Sequence, residues 1–178
     1  MKRHKRKIIA AVILAVLAGA WFYTPVPPAG EIVSGGTPPP VTLSVRVDAL
    51  LNNMDMLNRE KHELVPADGV IFPATEVTVY EGESVFNVLQ REMRRARIHM
   101  AFRSTPIYNS AYIEAINNLY EFDAGELSGW IYSVNGVFPG YGASMYILQH
   151  GDVIEWHYTL DLGRGSGQDF GGGGQHGE

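Results

Sequence analysis

The side chains able to do chemistry in this 178-residue chain are dispersed. Between the basic start and the Gly-rich end the histidines are His62, His99, His150 and His157. No two have the i, i+4 spacing that places a pair of metal ligands on one helix face. His150 and His157 flank one turn and could approach each other, but no third ligand accompanies them. There is no cysteine, so disulfides, thiolate metal sites and a cysteine nucleophile are excluded. Carboxylates are plentiful, yet no spacing singles out an acid–base pair. The chain has no Gly-x-Ser-x-Gly, no phosphate loop and no Gly-x-Gly-x-x-Gly followed by a helix. Gly171–Gly174 reads as a polar tail. No catalytic residue, metal site or required cofactor is expected, and the chain is not read as an enzyme.

Aromatic residues offer more. Eleven of the nineteen Phe, Trp and Tyr fall between Tyr108 and Tyr158. Rigid amphipathic rings bind a flat ligand or a glycan at low entropic cost, although many rings simply fill a small core. Tyr141, inside the loop Pro139-Gly140-Tyr141-Gly142-Ala143-Ser144, is the least core-like. The candidate ligand-binding set is Tyr112, Asn117, Tyr120, Trp130, Asn135, Tyr141 and Ser144. Asn135 has a competing role, because Asn135-Gly136 favours a type I′ turn.

These residues must be positioned by regular elements. Val41–Val47 alternates strictly, as a strand does. Asp48–Leu64 carries Leu50, Leu51, Met54 and Leu57 at helix-compatible spacing with Asp48 as a cap, or is irregular. Pro66–Gly69 is a turn, Val70–Phe72 a short extended piece and Glu76–Tyr80 a strand. Ser84 N-caps the clearest helix, from Val85 to about Arg97. Its apolar stripe is Val85, Val88, Leu89, Met93 and Ala96. Arg91, Arg94, Arg95 and Arg97 form the other face, a solvated surface or a phosphate site. Ile98–Phe102 and Tyr112–Ile116 read as strands, the latter ended by Asn117-Asn118, with Leu119–Gly125 connecting. Trp130–Val134 and Val153–Leu160 alternate and frame the aromatic loop. In the second run Ile154, Trp156, Tyr158 and Leu160 share one face. The class is α+β: a β-grasp-like mixed sheet with one main helix over residues 41–164, core 77–160.

Ahead of it lie an N-terminal hydrophobic helix and a Pro-rich stalk. Met1–Lys7 holds five of the fourteen basic residues, followed by an apolar run from Ile8 to Tyr23. This is an export signal. Ala18-Gly19-Ala20 fits cleavage near Ala20 and secretion. Trp21-Phe22-Tyr23 fits the interfacial belt of an uncleaved anchor through residues 8–23. As a helix the sixteen residues reach about 24 Å, against a hydrocarbon core of about 30 Å. The expected location is the extracytoplasmic face of the cell membrane. Residues 24–40, with six prolines and three glycines, form a semi-rigid spacer, either a stalk or an incidental linker. Residues 165–178 read as a disordered Gly-rich tail. Beyond Lys7 the chain holds nine basic and nineteen acidic residues, which excludes a nonspecific nucleic-acid partner.

Three blocks carry a family resemblance over residues 77–158. They are Glu81-Gly82-Glu83-Ser84-Val85-Phe86-Asn87-Val88-Leu89, then Ser110–Ile116 with Trp130–Gly136, then Gly142-Ala143-Ser144-Met145-Tyr146 with His150-Gly151-Asp152-Val153-Ile154-Glu155. They resemble a bacterial domain family of unknown function that is similar to the C-terminal domain of transcobalamin and intrinsic factor. The resemblance implies a domain that, in transcobalamins, covers one face of a corrinoid. It implies a small-molecule ligand such as cobalamin, and a membrane importer or a second ligand-binding domain as partner. No counterpart of the helical barrel that holds the ligand's other face in transcobalamins is expected within these 178 residues. The competing expectation is a cell-surface adhesion or assembly module that binds protein or wall glycan.

Overall fold

A computed structural model of the chain describes residues 40–105 and 110–164. The expected signal, most of the stalk, the tail and Tyr108 lie outside the described residues. Among the described residues no helix is long and apolar enough to cross a membrane.

Strand β1 (Val41–Arg46) forms where alternation predicts it. A four-residue helix α1 (Asp48–Leu51) follows, then 3-10 turns at Met54–Met56 and Arg59–Leu64. Of the two readings of Asp48–Leu64, a continuous helix or an irregular segment, the irregular one holds. Asp48 does not cap; its carboxylate takes a two-pronged ion pair from Arg46 at 2.6 Å. Asn53 Nδ2 donates to the Ala49 carbonyl at 2.7 Å, and the Asn58 side chain accepts from the Glu60 N–H at 3.2 Å. Such local side-chain bonds compete with helix propagation. Strand β2 (Val70–Val77) joins the two extended pieces expected at 70–72 and 76–80 and ends before Tyr80. It contains Pro73, which an edge strand tolerates.

Helix α2 (Val85–Ala96) is the main helix. Val85, Val88, Leu89 and Met93 are buried, each contributing about 1.5–3 kcal/mol. Ala96 is exposed and Glu92 takes a buried place instead, paired with Arg91 at 2.8 Å and Arg95 at 2.9 Å. Arg91 also bonds Glu83 and the Thr78 carbonyl, so it is not a solvated cation. The helix ends on Arg97 in the left-handed region, φ 57°.

Strands β3 (Met100–Thr105), β4 (Ser110–Ile116), β5 (Leu119–Tyr120), β6 (Gly129–Val134) and β7 (Val153–Thr159) complete the domain. One main helix with mixed strands fits the α+β expectation, but the strands divide into two sheets. The first has order β2-β1-β7-β6, with β1 and β7 parallel; the second is antiparallel, β3-β4-β5. Asn117 and Asn118, φ 55° and 60°, turn β4 into β5, so part of the expected connector is a strand. One core joins Leu43, Val45, Ile154, Trp156 and Tyr158 of the first sheet to the α2 stripe and to Ile113, Ile116 and Leu119 of the second.

Candidate functional site

The register of β6 against β7 pairs Trp130 with Tyr158 and Tyr132 with Trp156. These rings therefore share one face of the sheet. Trp130 meets Tyr158 edge-on at 5.2 Å, and Tyr132 meets Trp156 at 5.3 Å. Strand β6 is a sheet edge, and β5 pairs only with Ala115 and Ile116 of β4. Between β6 and the uncovered part of β4 opens a cleft of about 730 Å³. Its walls are Ser110–Ile113 of β4, Trp130–Tyr132 of β6, Trp156 of β7, Arg103 and the loop from Phe138 to Met145.

The loop is held by the first turn of α2. A helix leaves its first N–H groups without internal partners. Here the Val85 N–H donates to the Tyr146 carbonyl at 3.1 Å and the Phe86 N–H to the Ala143 carbonyl at 3.1 Å. The Asn87 N–H donates to Ser84 Oγ at 3.2 Å, while the Asn87 side chain accepts from the Ser84 N–H. The expected Ser84 cap is thus one half of a reciprocal capping box. Each residue of Gly142-Ala143-Ser144 has a task. A Cβ on Gly142 would stand 1.9 Å from Ser110 Oγ and 2.4 Å from Ser110 Cβ, so only glycine allows this approach. Ala143 is buried and its carbonyl receives the helix. Ser144 Oγ accepts the Ala111 N–H at 3.0 Å and ties the loop to β4. Tyr132 Oη adds a further tie, donating to the Tyr141 carbonyl at 2.9 Å.

Of the expected site residues, the structure brings Tyr112, Trp130 and Tyr141 together in the lining, with Ser144 behind it. Trp130 is mostly buried and donates its indole N–H to the Leu119 carbonyl at 2.9 Å. Tyr141 is 50% exposed and stacks on Tyr146 at 6.2 Å. Asn117, Tyr120 and Asn135 stand outside the lining. Asn117 donates to the Leu64 carbonyl at 2.9 Å. Tyr120 packs beside His99 and Lys61. Asn135 makes its turn, φ 54°, but pairing closes only at Val134 and Val137. Its side chain bonds Asp152 at 2.8 Å and accepts the Val153 N–H at 2.9 Å, pinning the start of β7. Sequence reasoning missed Tyr132, Phe138, Trp156 and Arg103 as lining residues. The alternation of β6 and β7 could have supplied Tyr132 and Trp156.

The charged rim is a network. Arg103 Nη1 bonds Glu114 at 2.7 Å and Glu121 at 3.1 Å, and its guanidinium lies 4.5 Å from the centre of the Tyr112 ring. Tyr112 Oη donates to Glu121 Oε2 at 2.5 Å. Burial, together with that carboxylate, pushes the Tyr112 hydroxyl up to about 12. Burial likewise raises Tyr132 well above the ordinary phenol range. Both hydroxyls keep their protons at neutral pH. Among the described residues no group of three or more His, Asp or Glu could hold a metal ion. Chemically, the cleft offers ring faces and oxygen acceptors.

Residues 82–159 match the model of a family described as Domain of unknown function (DUF4430). The fold is similar to that of haptocorrin in complex with Cbi, with a TM-score of 0.51 and 18% identity. The match covers 70% of this chain and 25% of the haptocorrin chain. At that identity the likeness is one of fold, and this chain spans about a quarter of haptocorrin's length. No curated protein matches. The resemblance expected from the three sequence blocks is borne out by the family match and the shared fold.

Proposed function

We propose that this chain is a membrane-tethered, extracytoplasmic binding module whose cleft takes one face of a flat small molecule, with a corrinoid as the leading class. The observation that carries the reading is the cleft itself, about 730 Å³ walled by Trp130, Tyr132, Tyr141, Tyr112 and Phe138 and held open by a loop bonded to helix α2 and strand β4. Small-molecule sites are concave, mostly apolar, and preformed in this manner. The fold shared with a protein crystallised with Cbi supports the choice of corrinoid as the first ligand class to test. The basic start and apolar run to Tyr23 support the tether.

An open cleft covers one face only, so a partner completes the site, either a second ligand-binding domain or an importer that receives the ligand. Val137, Tyr141, Met145 and Ile147 are exposed on and beside the loop, and exposed apolar side chains grouped in this way mark interaction surfaces. The same group favours the second reading, an adhesion or assembly module whose partner is a surface protein.

Calorimetry and visible absorbance with cobinamide and cobalamin on the full chain test the first reading. Saturable binding that Tyr141→Ala weakens about tenfold, with folding intact, supports it. Absence of binding at about 100 μM leaves only affinities weaker than about −5.5 kcal/mol. The adhesion reading then takes precedence.

A further inference from the structure

We infer that the cleft presents hydrogen-bond acceptors to its ligand, and so selects molecules bearing amide N–H or cationic groups over the matching carboxylates and phosphates. This rests on the cleft being the small-molecule site.

Four polar hydrogens of the lining, two of them phenolic, are already engaged within the protein. Tyr112 Oη donates to Glu121 at 2.5 Å and Tyr132 Oη donates to the Tyr141 carbonyl at 2.9 Å. The Trp130 indole donates to the Leu119 carbonyl, and the Ala111 N–H to Ser144. A phenol whose hydrogen is committed has only lone pairs left for a ligand. The Trp156 indole N–H has no partner, but the atom is enclosed and presents no accessible donor.

Charge points the same way. Arg103 is the one cation in the lining, and Glu114 and Glu121 sit at 2.7 and 3.1 Å from its Nη1. The three groups sum to one negative charge. The guanidinium also lies over the Tyr112 ring, which orients it across the rim. A ligand carboxylate therefore meets oxygen lone pairs and net negative charge; an amide N–H meets acceptors.

The test compares two ligands with the same ring. Cobinamide carries amides, and cobyrinic acid carries carboxylates at the corresponding positions. With the full chain in calorimetry, cobinamide should bind at least about tenfold more tightly, the scale of a hydrogen bond to a charged group. Glu121→Gln retains an acceptor for Tyr112 and removes the net charge; it should shrink that ratio several-fold at unchanged Tm. Equal affinity, or tighter binding of the acid, overturns the inference. If Arg103 instead captures anions, Arg103→Gln weakens the acid selectively, which overturns it too. If neither corrinoid binds, the corrinoid reading falls alone, and a dye pair sharing one aromatic skeleton decides the charge rule. Tighter binding of neutral N-phenylnaphthylamine than of anilinonaphthalene sulfonate, lost together in Tyr141→Ala, upholds it. A preference for the sulfonate, or binding of neither dye, overturns it.

Discussion

Strand β6 borders two hollows that share Ile131 and Phe138, and they differ in the state of their polar atoms. The cleft is lined by Trp130, Tyr132 and Trp156 from one face of the sheet, and the hydroxyl hydrogens of Tyr112 and Tyr132 are bonded inward. The smaller hollow, about 410 Å³, receives the other face through Ile131 and His157, which pair across β6 and β7. There the His157 imidazole is half-buried, lies 5.8 Å from the Phe138 ring, and makes no hydrogen bond among the described residues. Strand alternation puts the two chemistries back to back on the same strands. The first hollow is fixed in geometry and in the sign of its charge before any ligand arrives. The second holds a group free to titrate.

Trp130→Ala is the largest expected perturbation of this contrast. It removes a cleft wall, the edge contact with Tyr158 and the donor to Leu119 together. Unfolding by denaturant should show a loss of about 3–5 kcal/mol. A loss below about 1 kcal/mol would mean that the cleft wall is not part of the core. Next comes Gly142→Ala, which forces a Cβ against Ser110 and should cost about 1–3 kcal/mol through overpacking. Hydrogen exchange would speed up at the Val85 and Phe86 amides, because the carbonyls that receive them belong to this loop. Protection unchanged at both amides would show that the loop docks without the close approach. Tyr132→Phe is milder. It keeps the ring on Trp156 and deletes one bond to the loop, worth about 1 kcal/mol. The Tyr141 environment, followed by fluorescence or NMR, should loosen more than global stability falls.

How much of this was legible in the sequence follows from the range of the forces involved. Helix α2 was legible because its 3.6-residue stripe and Ser84 are local signals. Its partners, the carbonyls of Ala143 and Tyr146 more than fifty residues away, were not. Asp48–Leu64 stayed open between helix and irregular chain because apolar spacing fitted a helix while Asn53, Asn58 and the Arg46–Asp48 pair favour turns. Alternation identified the strands without their neighbours, so one sheet was expected and two formed. Asn117-Asn118 had the chemistry of a type I′ turn, but Leu119-Tyr120 is too short a strand to announce itself. In the site, the aromatic types were readable. Which hydroxyls had already committed their hydrogens was not, since Tyr112 to Glu121 and Tyr132 to Tyr141 are contacts of the folded chain. Asn117 and Asn135 were polar residues in plausible places, and the fold had claimed both amides.

His157→Gln is the smallest change and the sharpest probe of whether the two hollows are independent. Burial lowers the His157 pKa, with Glu155 and Asp48 opposing that shift and Arg46 reinforcing it. The unfolded chain, at the ordinary histidine value near 6.5, thus holds more protons than the folded one over the interval between the two values. The stability this neutral imidazole supports is complete above the ordinary value and is lost as pH falls through the folded one. Wild-type Tm should therefore drop between about pH 7 and 5 by more than that of His157→Gln, with the two nearly equal at about pH 8. Tyr112, held near 12, does not titrate in that window. Affinity of the cleft for a neutral ligand should stay flat where stability declines. A fall in affinity that follows the His157 titration, and vanishes in His157→Gln, would show that protonation on one side of β6 reaches the other through Phe138, and the contrast between the hollows would become a coupling.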